Sequence, residues 1–335
     1  MNGQPPSPDA LIAFLDQGCH EEAIAQLERL TTAETDIRKE ALRRLRTLTD
    51  ERGGLSETLP PALTPFLTDE ERSVRLTAAK LFVAVAEATP GAVVGVVDSL
   101  AGRLADDEEF YYVRARSAEA LGYVAIEHPD EVASPEILAD LRIGLSFDEP
   151  EVKVKLAKAL EYVALGDPNR LRHQVSSLAE HLDDESELVR YHLCTALVAV
   201  GCEHPETLAG ASGGLAARLT DENAYVRGRA AEALGLLARS EAADASLPEG
   251  DLAALADDEE PFVAERANFA VGAVAGDGRE TEFPDGIGTV EAIRGTTEGI
   301  AEEIRSPDGD GECPHCGLAL PGTRPPTCPR CGAPY

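Results

Sequence analysis

The chain has 335 residues and a formal net charge of −31, set by 61 acidic against 30 basic side chains. That length admits one large domain or two ordinary ones, and so acidic a balance argues against general adhesion to nucleic acid or anionic membrane. No run of about 18 apolar residues occurs, so no membrane span is expected.

The first residues, MNGQPPSPDA, lack both basic side chains and an apolar stretch. Residues 1–8 are therefore read as a disordered tail without a targeting signal. From there a phrase begins to recur: DEERSVRLTAAKLFVAVA from Asp69, DEEFYYVRARSAEALGYVA from Asp107, and DENAYVRGRAAEALGLLA from Asp221. Anchored on the aliphatic residue before the basic one, the series is Ile37, Val74, Val113, Val152, Val189, Val226 and Val263. Its steps are 37, 39, 39, 37, 37 and 37 residues. Within a unit, small or apolar residues fall at offsets 4, 5, 8, 11 and 12 from the anchor, as in Ala230, Ala231, Leu234, Leu237 and Ala238. At 100° per residue these form one arc of an amphipathic helix.

An acidic turn precedes each such helix, and a second apolar segment precedes the turn, as in AVVGVVDSLAGRLA from Ala92 and RLRHQVSSLAEHL from Arg170. Prolines 90, 129, 168 and 205 stand where these first helices are expected to begin, a position that tolerates a missing N–H. Each repeat is thus helix–turn–helix, and no strand pattern competes. A two-helix unit cannot bury its face alone, so neighbours must stack.

The D-x-x-x-x-V-R-x-x-A-A-x-x-L-x-x-L-A pattern resembles HEAT repeats, particularly the short kind shared with phycobilin lyase-like proteins. The likeness covers roughly residues 20 to 276. The fold it implies is an all-α, right-handed HEAT-type solenoid of about seven repeats, assigned to residues 9–276. Residues 277–311 read as an acidic linker with Gly, Asp and Pro at both ends. Within it Val290, Ile293, Ile300 and Ile304 share one face of a short helix over 289–305, which either caps the open end of the stack or belongs to a tether.

Residues 312–335 carry CPHCG and CPRCG, placing Cys313, Cys316, Cys328 and Cys331 in a CxxC-x11-CxxC array. The two-residue gap lets each pair present both sulfurs to one tetrahedral ion at about 2.3 Å. Pro314 and Pro329 restrict the backbone after the first ligand, and Gly317 and Gly332 permit positive φ after the second. The module resembles a zinc ribbon, implying one structural Zn2+ with a closed coordination shell and no catalytic water. Iron is the alternative, because rubredoxin uses similar knuckles. Cys19, Cys194 and Cys202 are scattered, and the last two, about 12 Å apart along a helix, cannot bridge. This usage suits a reducing, cytoplasmic setting.

No nucleophile–base constellation or phosphate loop stands out. One HEAT-type enzyme family, deoxyhypusine hydroxylase, holds two irons with His-Glu pairs early in the second helix. The matching positions here are Ala115-Arg116, Val154-Lys155, Tyr191-His192 and Gly228-Arg229, so that activity does not carry over. The Glu-His-Pro triplets at 127–129 and 203–205 read as helix ends followed by an N1 proline. Catalysis is not expected.

The HEAT resemblance places the second helix on the concave face, with offsets 3, 6 and 10 opposite the buried arc. Those columns supply Arg116, Lys155, His192, Arg229 and Arg266, then Lys158, then Tyr123 and Tyr162. They are read as a solvent-facing groove that grips an acidic protein partner, or else as cations paired with the acidic turns at i,i+4 spacing. The offset-1 column, Arg38, Arg75, Arg114, Lys153, Arg190 and Arg227, is read as structural. The resemblance suggests that its arginines bond a turn Asp in the same or an adjacent unit.

Only five of the basic residues are lysines (Lys39, Lys80, Lys153, Lys155 and Lys158), a depletion that resembles proteins of salt-in halophiles. In brine the Debye length falls to about 3 Å, which disfavours phosphate recognition. The expected function is a non-catalytic scaffold for a protein partner of unknown identity. A nucleic-acid-associated factor using ribbon and stripe, or an accessory, lyase-like protein acting on a modified protein or chromophore, are the alternatives.

Overall fold

The computed structural model describes residues 7–240, 247–276 and 286–305. Among them every regular element is helical. The chain forms two compact units, residues 1–167 and 168–335.

The first unit opens with helices Pro8–Asp16 and His20–Leu30, the former started by Ser7, whose hydroxyl accepts from the Ala10 N–H at 3.2 Å. Its four long second helices follow: α1 (Thr35–Arg52), α2 (Arg72–Ala88), α3 (Tyr111–Glu127) and α4 (Pro150–Gly166). Each packs on the next. The second unit holds α5 (Glu187–Glu203), α6 (Ala224–Arg239) and α7 (Pro261–Val274), which pack in the same serial way.

The arc read from the sequence is the core. Ala78, Ala79, Phe82, Val85 and Ala86 are fully buried on α2, and so are Ala230, Ala231, Leu234 and Leu237 on α6. Two glycines set the closest approaches. A Cβ on Gly122 would lie 2.8 Å from the Ala159 Cα, and one on Gly235 would lie 2.9 Å from the Ala270 Cα. These equivalent positions let α3 meet α4, and α6 meet α7, nearly backbone to backbone.

The first member of each repeat is less regular than the apolar pattern predicts. Pro90, Pro129, Pro168 and Pro205 each begin a short helical turn, three of them 3₁₀. The segment from Ala92 becomes the 3₁₀ stretch Pro90–Val96 followed by the helix Val97–Ala105. The segment from Arg170 keeps α-helix only over Val175–Ala179. The Glu-His-Pro triplets are helix ends, as expected: Glu127 closes α3, Glu203 closes α5, and a new turn starts at the proline.

The offset-1 arginines are the joints between repeats. Arg75 donates to both carboxylate oxygens of Glu109 in the next turn, at 2.7 and 2.9 Å. It also donates to the carbonyls of Asp69 and Glu70 in its own turn. Arg190 repeats the arrangement with Asp221 at 2.7 and 2.8 Å and with the Asp184 and Glu185 carbonyls. Arg227 does so with Asp258 and the Asp221 and Glu222 carbonyls, and Arg38 reaches Asp69. The side chain thus bonds both its own turn and the next one. Asp69, Asp221 and Asp258 also accept the N–H two residues on, closing the turn that each arginine reads. Arg114 pairs with Asp107 of its own turn at 3.3 Å, donates to the Leu104 carbonyl and lies over Phe147.

Residues 286–305 form two short helices, α8 (Val290–Arg294) and α9 (Thr297–Arg305). Ile293, Ile300 and Ile304 are buried, as their shared face requires, and Val290 is half-buried. The helices do not simply cap the last repeat. Both pack on α5, two repeats before it, where their isoleucine face finds cover.

Removing an arginine joint strands a nearly buried carboxylate. Arg190→Ala leaves Asp221, 2 % exposed, with Arg218 at 3.2 Å as its remaining cation, and is expected to cost about 3 kcal/mol in urea unfolding. A loss under about 1 kcal/mol would mean that the joint is not structural.

Candidate functional site

Beneath the joints the second helices carry another polar layer, built from the phrase A-E-A-L-G that occurs in both units. In the first unit Glu119, 5 % exposed, accepts from Arg116 Nη1 on its own helix at 2.6 Å. Its other oxygen accepts from Lys155 Nζ on α4, also at 2.6 Å. In the second unit Glu232, fully buried, accepts from Arg229 Nη1 at 2.8 Å and from Arg266 Nε on α7 at 3.0 Å. The two triads are the same construction. A cation one turn before the glutamate and a cation on the next helix converge on one carboxylate.

Beside the first triad, Lys158 donates to the Tyr123 hydroxyl at 3.0 Å and lies over the Tyr123 and Tyr162 rings at 4.8 and 5.1 Å. Those rings pack edge to face, 5.2 Å apart. Beside the second triad, Arg266 stacks on Phe262, its guanidinium 3.5 Å from the ring centre. His192 is 1 % exposed, with its ring 5.7 Å from that of Tyr191.

This corrects the reading of offsets 3, 6 and 10 as solvent-facing. Tyr123, Lys158, Tyr162, His192, Arg229 and Arg266 are all buried, and Arg116 and Lys155 retain only 16 % and 19 % side-chain exposure. The reason is lateral. Adjacent second helices lie close enough for long side chains to reach across and pair instead of pointing outward. Of the stripe cations, Arg116 and Lys155 take Glu119, and Arg229 and Arg266 take Glu232, while offset-1 arginines occupy the acidic turns. Those glutamates were visible as a repeated letter at offset 6, the signal the cation columns obscured.

Electrostatics follow from this geometry. Burial pushes the Glu119 carboxyl up, but Lys155, Arg116 and Lys158 outweigh it and hold the group well below the usual carboxylate range. Burial lowers Lys155 to about 8 despite the attraction of Glu119, with Arg116 and Lys158 adding to the drop. The Cys194 and Cys202 thiols are pushed up to about 12 by burial, so neither is a ready nucleophile.

The second triad is covered by the chain itself. The Gly288 N–H donates to the free oxygen of Glu232 at 2.9 Å, and Arg266 Nη2 donates to the Gly286 carbonyl at 3.4 Å. Arg229 Nη2 donates to the Thr296 hydroxyl, and the Tyr191 and Thr297 hydroxyls lie 3.2 Å apart. The arrangement binds main chain and hydroxyl groups.

Among the described residues no group of three or more His, Cys, Asp or Glu is placed to hold a metal, and no helix is long and apolar enough to cross a membrane. The candidate ligands Cys313, Cys316, Cys328 and Cys331 lie outside the described residues.

No family model matches the chain, and no curated protein matches it in sequence. Its likeness is to solved structures of helical repeats. An archaeal HEAT-like repeats protein from Thermococcus onnurineus NA1 superposes with a TM-score of 0.54 at 12 % identity, over 76 % of this chain and 97 % of that one. A designed armadillo repeat protein, solved in complex with the peptide (KR)4, gives 0.55 at 18 % identity, over 64 % and 99 %. An engineered protein gives 0.59 at 20 % identity, over 90 % and 77 %. Likenesses this distant speak for the fold, which is that of an α-helical repeat protein.

Lys155 offers a direct check on the triad. Its folded value near 8 lies below the ordinary lysine value of about 10.4, so the folded chain releases a proton that the unfolded chain keeps. Its contribution to stability therefore rises with pH between about 8 and 10.4. Competitive acetylation read by mass spectrometry should place the Lys155 midpoint near 8, well below the ordinary lysine value of about 10.4; a midpoint at that ordinary value would refute the buried pairing.

Proposed function

We propose that the chain is a non-catalytic interaction scaffold, binding a segment of a partner protein along its second helices. The site in the first unit is Arg116, Glu119 and Lys155, flanked by Lys158, Tyr123 and Tyr162. One observation carries this reading: the equivalent triad of the second unit already holds polypeptide, with Glu232 on a main-chain N–H and Arg266 on a main-chain carbonyl. A designed armadillo repeat protein of similar fold is solved with a peptide, which agrees with this use of helical repeats. His192, Arg229 and Arg266 line the corresponding helices of the second unit.

Recognition by phosphate is disfavoured. A groove for nucleic acid needs uncompensated cations, whereas Arg116 and Lys155 each share Glu119. The partner is instead a polypeptide presenting main-chain groups and hydroxyls to the part-exposed Arg116 and Lys155. Peptides selected from a displayed random library on the full chain, with excess DNA as competitor, are expected to lose about tenfold or more in affinity on Lys155→Glu. Circular dichroism would confirm that the variant stays helical. Binding indifferent to both Lys155→Glu and Glu119→Gln would remove the site.

The C-terminal module, 312–335, is proposed to fold around one structural zinc held by Cys313, Cys316, Cys328 and Cys331. Metal analysis of the purified chain should give one zinc; no zinc, or one redox-active iron, would overturn the assignment.

A further inference from the structure

We propose that residues 286–305 are a displaceable occupant of the interaction face on α5, α6 and α7, and that the chain holds this face closed against partners until the segment leaves. The inference rests on the scaffold reading above and extends it to regulation of the second unit.

The segment engages the face as a bound peptide would. Gly286 and Gly288 both adopt positive φ, at 82° and 71°, a conformation that side-chain-bearing residues rarely take. Around this bend the Gly286 carbonyl meets Arg266 and the Gly288 N–H meets Glu232. Beyond it Thr296 takes Arg229 and Thr297 reaches Tyr191. Ile287, Ile293, Ile300 and Ile304 supply the apolar side.

Three features mark the contact as releasable and not as permanent core. The helices α8 and α9 have 5 and 9 residues, too short to persist in water without the surface beneath them. What the rest of the segment covers, through Gly286, Gly288 and Thr296, is charged. Arg229, Glu232 and Arg266 form an ion triad whose desolvation opposes burial, so uncovering it returns the triad to water at little loss. The same triad exists in the first unit with Arg116 and Lys155 still partly in solvent, so the construction does not need such a cover to form. The segment also exposes Glu291, Glu298 and Glu302, which keeps it soluble once released.

A tethered segment competes at an effective concentration on the order of millimolar. The test uses a fluorescently labelled synthetic peptide of residues 286–305 and the full chain. Ile300→Asp with Ile304→Asp should empty the face, and the labelled peptide is expected to bind this variant at least about tenfold more tightly than it binds the wild type. Equal affinities, or no binding to the variant, would overturn the proposal. If the variant fails to fold, a protease site installed between Gly276 and Gly286 of the full chain replaces it. After cleavage the C-terminal piece should separate on dilution and leave a helical, cooperatively melting remainder. A piece that never dissociates, or a remainder that unfolds, would show the segment to be integral. Neither arm touches Lys155, so failure here is distinguishable from failure of the library-peptide site.

Discussion

The stacking of repeats rests on one recurring contact: a guanidinium at the start of the second helix, at Arg38, Arg75, Arg190 and Arg227, that reads two turns at once. Arg75 and Arg190 show why arginine is needed. Two nitrogens grip the carboxylate of the next turn while a third takes two carbonyls of its own turn. Lysine presents its donors from a single point and cannot span that geometry. The joint fixes the register between neighbours, and the small residues on the buried arc then set how closely the helices approach. Gly122 and Gly235 mark the points where that approach reaches the backbone. A repeat that buried its apolar arc without the joint would be free to slide along its neighbour.

Close approach has a second consequence, which is the candidate site. Once helices lie backbone to backbone, long side chains on their remaining face reach each other before they reach solvent. In a chain of net charge −31 that lateral reach draws the scarce cations onto carboxylates. Glu119 and Glu232 gather two cations each, and the resulting triads lie across neighbouring helices. Lys155, Arg116 and Lys158 hold the Glu119 carboxyl well below the usual carboxylate range, and a carboxylate with two cations still has acceptor capacity to spend. In the second unit that capacity is spent on a peptide N–H.

The repeat, its helix–turn–helix plan and its core arc were legible because they recur: one anchor read seven times tests itself. The offset-1 arginines were legible for the same reason, and their partners followed from the acidic turn that always precedes them. The offset-3, 6 and 10 positions were misread because helical periodicity assigns a face to one helix in isolation. It is silent on how near the next helix comes, and that distance decides whether Lys158 or Tyr162 meets water or a neighbour. The isoleucine face of 289–305 was visible, but its docking site was not, since Tyr191 lies about a hundred residues away and no local pattern records the meeting.

The two triads place one chemical device in different surroundings within the chain. Their residues are nearly interchangeable, Arg-Glu-Lys in one and Arg-Glu-Arg in the other, so intrinsic affinity for a polypeptide backbone should be similar. What differs is the company each keeps. The first stands beside Lys158 and two tyrosines, and the second lies beneath a segment of its own chain. Recognition through main-chain hydrogen bonds and apolar contacts depends little on long-range charge, and short buried pairs are screened far less than exposed ones. An acidic exterior therefore need not repel the polypeptide proposed to bind this face. It discourages the nonspecific, charge-driven contacts that would otherwise compete for the same surface.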